Sequence, residues 1–297
     1  TRPLVCFHFI SYEGVYRLHF YRSTPNVDSV IDFYYGEGFS DTLSNDSKKT
    51  NYFEALNAIQ KTKIPSNSEK VEVTFDNRNL CDLLLENHMI DAEDLEGDKH
   101  LFLNEERDQI LYNISKALEL IKILHEDLYK LFNQLIGSIY LIKKDGFGGG
   151  SVSGLIGLIW LNPLKEWTVI DYAEALCHEF IHNSLFLDDM VNSVFPDPYA
   201  CASDEALTTS TILKIKRPLD RSYHAANVSI GIMHLYYMLH DKNKSYMYKD
   251  DLANTISEIN ERQKFLGDQG LLIFNEMKNF LTYFDFESIT LSLRGEL

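Results

Sequence analysis

The sequence predicts an α+β, mostly helical fold: a histidine-bearing helix packed against a small sheet, with an N-terminal mixed α/β portion. Three observations carry this. A long stretch after residue 104 repeats its apolar residues every three or four positions. Short apolar runs, VEVTF, SIYLIKK and LIGLIWL, read as strands. The stretch ALCHEFIHNSL, 175–185, sets two histidines four apart on a helical pattern.

Taken in order, residues 1–100 mix strands (LVCFHFI, VEVTF) with a helix, NYFEALNAIQKTK. The acidic, Asn-rich NHMIDAEDLEGDKH, 87–100, is the natural boundary, giving an N-terminal α/β portion, 1–100, expected to grip a peptide segment, and a helical metal-binding catalytic portion, 101–297. Asn104 is a suitable cap for the next helix, and Glu105 and Glu106 suit its positive end. Ile110, Ile114, Ala117, Ile121, Leu124, Leu128, Leu131 and Leu135 then form one stripe up to Gly137. A core helix against a sheet fits better than a coiled coil, because SIYLIKK follows at once. Gly148, Gly149 and Gly150 lack the Gly-Lys-Ser/Thr ending of a phosphate loop. They read either as a plain mobile loop or as an edge where a substrate backbone can approach.

Composition narrows the function classes. A formal charge of −16 disfavours nucleic acid as a partner. No apolar run approaches the roughly 18 residues needed to span a bilayer, so no membrane partner is expected. TRPLVCFHFISYEGVYRLHF lacks the basic-then-apolar profile of a secretion signal. Cys6, Cys81, Cys177 and Cys201 are scattered and form no CxxC, which suits buried thiols in a cytoplasmic protein.

The helix expected from Trp167 to about Leu187 buries Val169, Ala173, Leu176 and Phe180 on one stripe. His178 and His182 lie one turn apart on another face, so both imidazoles can reach one ion. Glu179, rotated about 100° from His178, can flank that ion without ligating it. Chance yields only about 0.02 such HExxH matches in a chain of this composition. A third ligand is wanted. Asp188 stands where a HExxHxxGxxH pattern would place it, but Leu185 replaces the helix-breaking Gly. Glu205, with Asp204 beside it, is one alternative. His224 is another; it opens an apolar helix of Val228, Ile232, Leu235 and Leu239, while Ala225, Ala226, Ser229 and Gly231 permit close packing. His234 and His240, deeper in that helix, read as core or surface residues.

Just upstream, Arg217 and Arg221 stand four apart with Lys214 and Lys216 nearby, a positive cluster in an acidic chain. Arginine holds a carboxylate through two parallel hydrogen bonds, so a carboxylate-bearing cosubstrate or a peptide C-terminus suits the cluster. A solvated basic turn is the plainer alternative.

Together GLIGLIWLNP, AEALCHEFIHNSL and RPLDRSYHAANVSIG resemble, in that order, the HExxH-type peptide β-hydroxylases that tailor ribosomally made peptides. The resemblance covers roughly residues 154–240 and falls on His178, Glu179, His182, Arg217, Arg221 and His224. Ser222 and Val228 depart from the residues common there, Pro and His. The resemblance implies a zincin-like HExxH helix and iron(II) held by His178, His182 and His224. It also implies 2-oxoglutarate held by Arg217 or Arg221, and hydroxylation of a side-chain β-carbon in a precursor peptide. HExxH alone equally suits a zinc metallopeptidase with Glu179 as general base. A third reading is a degenerate module that only binds a peptide.

Overall fold

The computed structural model describes residues 23–293, an α+β, mostly helical fold with a small mixed sheet. The strand expected over LVCFHFI lies outside the described residues. The first helices are α1 (Ser23–Tyr35) and α2 (Asn45–Gln60). Ser44 caps α2 by accepting from the Ser47 N–H. Strand β1 (Glu72–Thr74) and helix α3 (Arg78–Glu86) come next, and a 3₁₀ segment, Ala92–Asp98, occupies the acidic stretch.

The long periodic stretch is two helices, α4 (Asn104–Leu124) and α5 (Glu126–Leu135), not one. His125 interrupts them in extended conformation. Its buried ring accepts from the Leu128 N–H and meets the Thr290 carbonyl, so it caps one helix while fastening a distant one. The start also differs from expectation. Leu103 is the capping position, its N–H donating to Glu106, and Asn104 is already helical. Ile110, Ile114, Ala117 and Ile121 of α4 are buried, as are Leu128, Phe132 and Leu135 of α5.

Strands β2 (Ser138–Leu141), β3 (Gly149–Gly150) and β4 (Leu158–Leu161) complete the sheet in the order β1-β2-β4-β3. The first three of that order run parallel, and β3 is an antiparallel edge. The glycine-rich segment is thus a short edge strand, and LIGLIWL contributes only its second half to β4. Phe53 of α2 lies against Gly137 and Gly157, which precede β2 and β4. A Cβ at Gly137 would meet its ring at 2.7 Å, and one at Gly157, where φ is +94°, at 2.5 Å. The described residues of the first hundred, from Ser23 on, therefore share both the sheet and the core with the later part of the chain.

Helix α6 (Val169–Asn192) crosses this sheet. Thr168 and Asp171 form its capping box, and Ser193 ends it in left-handed conformation. After α7 (Pro198–Cys201), a two-stranded ribbon of β5 (Thr208–Thr209) and β6 (Lys216–Arg217) leads into α8 (Leu219–Met238). Helix α8 is buried from Ser222 to Tyr236 and packs along α6. Helices α9 (Lys249–Asn260), α10 (Asp268–Tyr283) and α11 (Phe286–Leu293) close the far side. Among the described residues no helix is long and apolar enough to cross a membrane. Cys81, Cys177 and Cys201 are buried free thiols.

His234 of α8 is buried, with Nε2 2.9 Å from the Thr290 hydroxyl. Burial, helped by nearby His125, lowers its imidazole to about 3. It is neutral in the fold, whereas the unfolded chain takes up a proton below about 6.5. This contribution to stability is therefore complete above that pH and is lost as pH falls towards about 3. Urea unfolding should show lower stability at pH 5 than at pH 7. His234→Asn should remove up to about 1.4 kcal/mol per pH unit of that slope.

Candidate metal and anion site

The site is built where α6, α8 and the glycine edge meet. Helix α6 turns Leu176, Phe180 and Leu185 into the core and leaves His178 and His182 half-buried at a cavity wall. Helix α8 brings His224, only 6% exposed, to the same wall. His182 Nδ1 lies 2.9 Å from His224 Nδ1, and the His178 and His182 ring centres are 5.0 Å apart. Phe186 covers His224 at 4.6 Å between ring centres.

Burial, with help from Arg217, lowers His224 to about 3. Burial also lowers His182 well below its usual value, assisted by His178, His224 and Arg217. Both rings therefore present neutral nitrogens, the form that binds metals. Two nitrogens each about 2.1 Å from one ion stand roughly 3.0–3.4 Å apart, close to the spacing of this pair. The donors do not form a closed set as they stand. Among the described residues no three His, Cys, Asp or Glu side chains are placed together for an ion. His182 and His224 bond each other, and His178 Nε2 lies 3.9 Å from Glu179 Oε1. Even so, the spacing of the His182–His224 pair suits two ligands of one nitrogen-preferring ion.

The other ligand candidates are engaged elsewhere. Asp188 is fully buried and accepts from Asn26, Asn192 and Gln269. Glu205 is exposed and ion-paired with Lys264, and Asp204 is exposed too.

The basic cluster divides in two. Lys214 pairs with Asp251 at 2.9 Å and Lys216 with Glu258 at 2.7 Å, both away from the histidines. Arg217 and Arg221 line the histidine cavity, about 550 Å³ in volume. Among the described residues neither has a carboxylate within 4 Å, although Asp220 between them attracts both. Burial, then the neighbouring Arg221, lower the Arg217 pKa. Two like charges without an ion-pair partner favour an anion.

Sequence reasoning missed several residues. His88 and Met89, from the expected boundary, form part of the cavity wall with Lys144 and Phe147. Ser151 and Asn183 were also missed. Asn183 is fully buried; its Oδ1 accepts from the Gly157 N–H at 2.7 Å, and its Nδ2 donates to Ser151 Oγ at 2.9 Å. Ser151 Oγ donates to Glu179 Oε2 at 2.7 Å. Burial pushes the Glu179 carboxyl up, with His178 and Ser151 acting the other way. Polar Asn183 and Ser184, set between apolar Phe180–Ile181 and Leu185–Leu187, were the available signal.

No protein-family model matches this chain, and no curated protein sequence matches it.

Asn183→Ala should strand the buried Gly157 N–H and cost about 1–3 kcal/mol of stability, measurable by urea unfolding.

Proposed function

We propose that this chain is an iron(II)- and 2-oxoglutarate-dependent oxygenase that hydroxylates a side-chain β-carbon of a ribosomally made peptide. It would do so on a zincin-like HExxH helix. The observation that carries the reading is one cavity that brings His178, His182 and His224 together with two arginines that have no ion-pair partner among the described residues. A carboxylate-bearing cosubstrate that chelates a nitrogen-bound ion needs both.

In this reading His178, His182 and His224 hold the iron, which, once bound, supplies the oxidative chemistry that turns 2-oxoglutarate and dioxygen into succinate, carbon dioxide and a substrate hydroxyl. Arg217 or Arg221 grips the far carboxylate through paired N–H groups. Phe186, Met89 and Trp160 add apolar surface to the cavity wall, which would help to keep water from the reacting atoms. The peptide backbone has a docking edge. In the β3–β4 register Gly149 faces Leu161, and Asn162 N–H bonds the Gly148 carbonyl. Alternation along an antiparallel pair then turns the N–H and C=O of Gly149 outward, away from β4. Gly149 also lines the cavity, so an extended peptide paired there passes beside the imidazoles.

The zinc metallopeptidase reading rests on one observation, the Glu179 carboxyl beside His178. The two readings separate at that residue. As an oxygenase, Glu179→Gln should keep turnover within about 100-fold of wild type. As a peptidase, it should bind metal and cleave nothing.

Anaerobic loading with iron, then oxygen, 2-oxoglutarate and a candidate precursor peptide, should yield succinate and a peptide heavier by one oxygen. Arg217→Ala or Arg221→Ala should raise the KM for 2-oxoglutarate about 10–100-fold, the loss of one charged hydrogen-bonding group. No succinate under iron, together with peptide hydrolysis under zinc, would reverse the reading.

A further inference from the structure

Ser151 occupies a junction. It directly succeeds the edge strand β3 and lines the histidine cavity. Its hydroxyl donates to Glu179 Oε2 and accepts from Asn183 Nδ2. Asn183 is itself fixed at both ends, to the Gly157 N–H and, at 2.9 Å, to the Glu179 carbonyl. One oxygen of the buried carboxyl is thereby tied down, and the other, Oε1, is left facing His178 Nε2 at 3.9 Å. A carboxyl next to a metal-binding imidazole can swing onto the ion and occupy a position that a cosubstrate needs. Among the described residues the Ser151 hydroxyl is the hydrogen-bond donor that restrains Oε2.

We infer that Ser151 is a positioning residue: its hydroxyl, oriented by Asn183, holds the Glu179 carboxyl off the imidazole cluster and so preserves the open side of the metal site. The inference rests on the metal-site reading above. It adds a link from the peptide-docking edge to the metal, since the segment that pairs with the substrate backbone is the one that restrains Glu179.

The test uses the full chain as wild type, Ser151→Ala and Ser151→Thr. Each is loaded with cobalt(II), whose visible absorption reports coordination without turnover, and each is also assayed with iron, 2-oxoglutarate and peptide. Ser151→Ala should change the cobalt spectrum and lower kcat about 10–100-fold, the usual range for losing a group that orients a metal's surroundings. It should still unfold in one cooperative urea transition, and the KM for peptide should stay close to wild type. Ser151→Thr, which keeps the hydroxyl, should restore both spectrum and kcat. Identical spectra and kcat in all three proteins would overturn the inference alone. So would a threonine variant as impaired as the alanine one. A wild-type chain that takes up no cobalt would overturn the metal reading, and this inference with it.

Discussion

Everything at the site depends on α6 and α8 lying close enough for two imidazole nitrogens to touch. Helix α8 allows this because Ala225, Ala226, Ser229 and Gly231 place little bulk on a helix that is buried along most of its length. Larger residues there would push the helices apart, and the rings would lose contact before the fold lost its core. Close helix packing and donor geometry are therefore the same property of this chain.

The arginines show what the site asks of electrostatics. Arg221 stands in the first turn of α8, at the positive end of a helix, where a cation is disfavoured. Arg217 stands next to it without an ion-pair partner among the described residues, while the two nearby lysines are each matched to an acid. Asp220 offsets part of the repulsion. An arrangement that costs stability in the free protein is reasonable where an incoming anion repays it.

Much of this was legible in the sequence because its cause is local. Helical spacing placed His178 below His182, and apolar periodicity gave the buried faces of α4 and α6. The helix through His224 was legible from its small and branched residues. The glycine edge was visible as one of two alternatives, but not its pairing with β4. What failed depends on distant partners. Nothing near His125 announces that its ring meets Thr290, so the break between α4 and α5 was hidden. Asn104 lost the capping position because Glu106 reaches back to the Leu103 N–H. Glu205 looked free until Lys264 came beside it. Ser151 and Asn183 gain meaning only when the segment after β3 lies against α6.

Phe53 is the quietest of these long-range features. One ring from the first hundred residues fills the space left by two glycines in front of neighbouring strands. None of the three positions is free to drift alone: a side chain at either glycine collides with the ring, and a smaller residue at Phe53 opens a void between them. Over evolutionary time they should change together or not at all, and a grafted histidine-bearing half would need to carry that aromatic plug along with it.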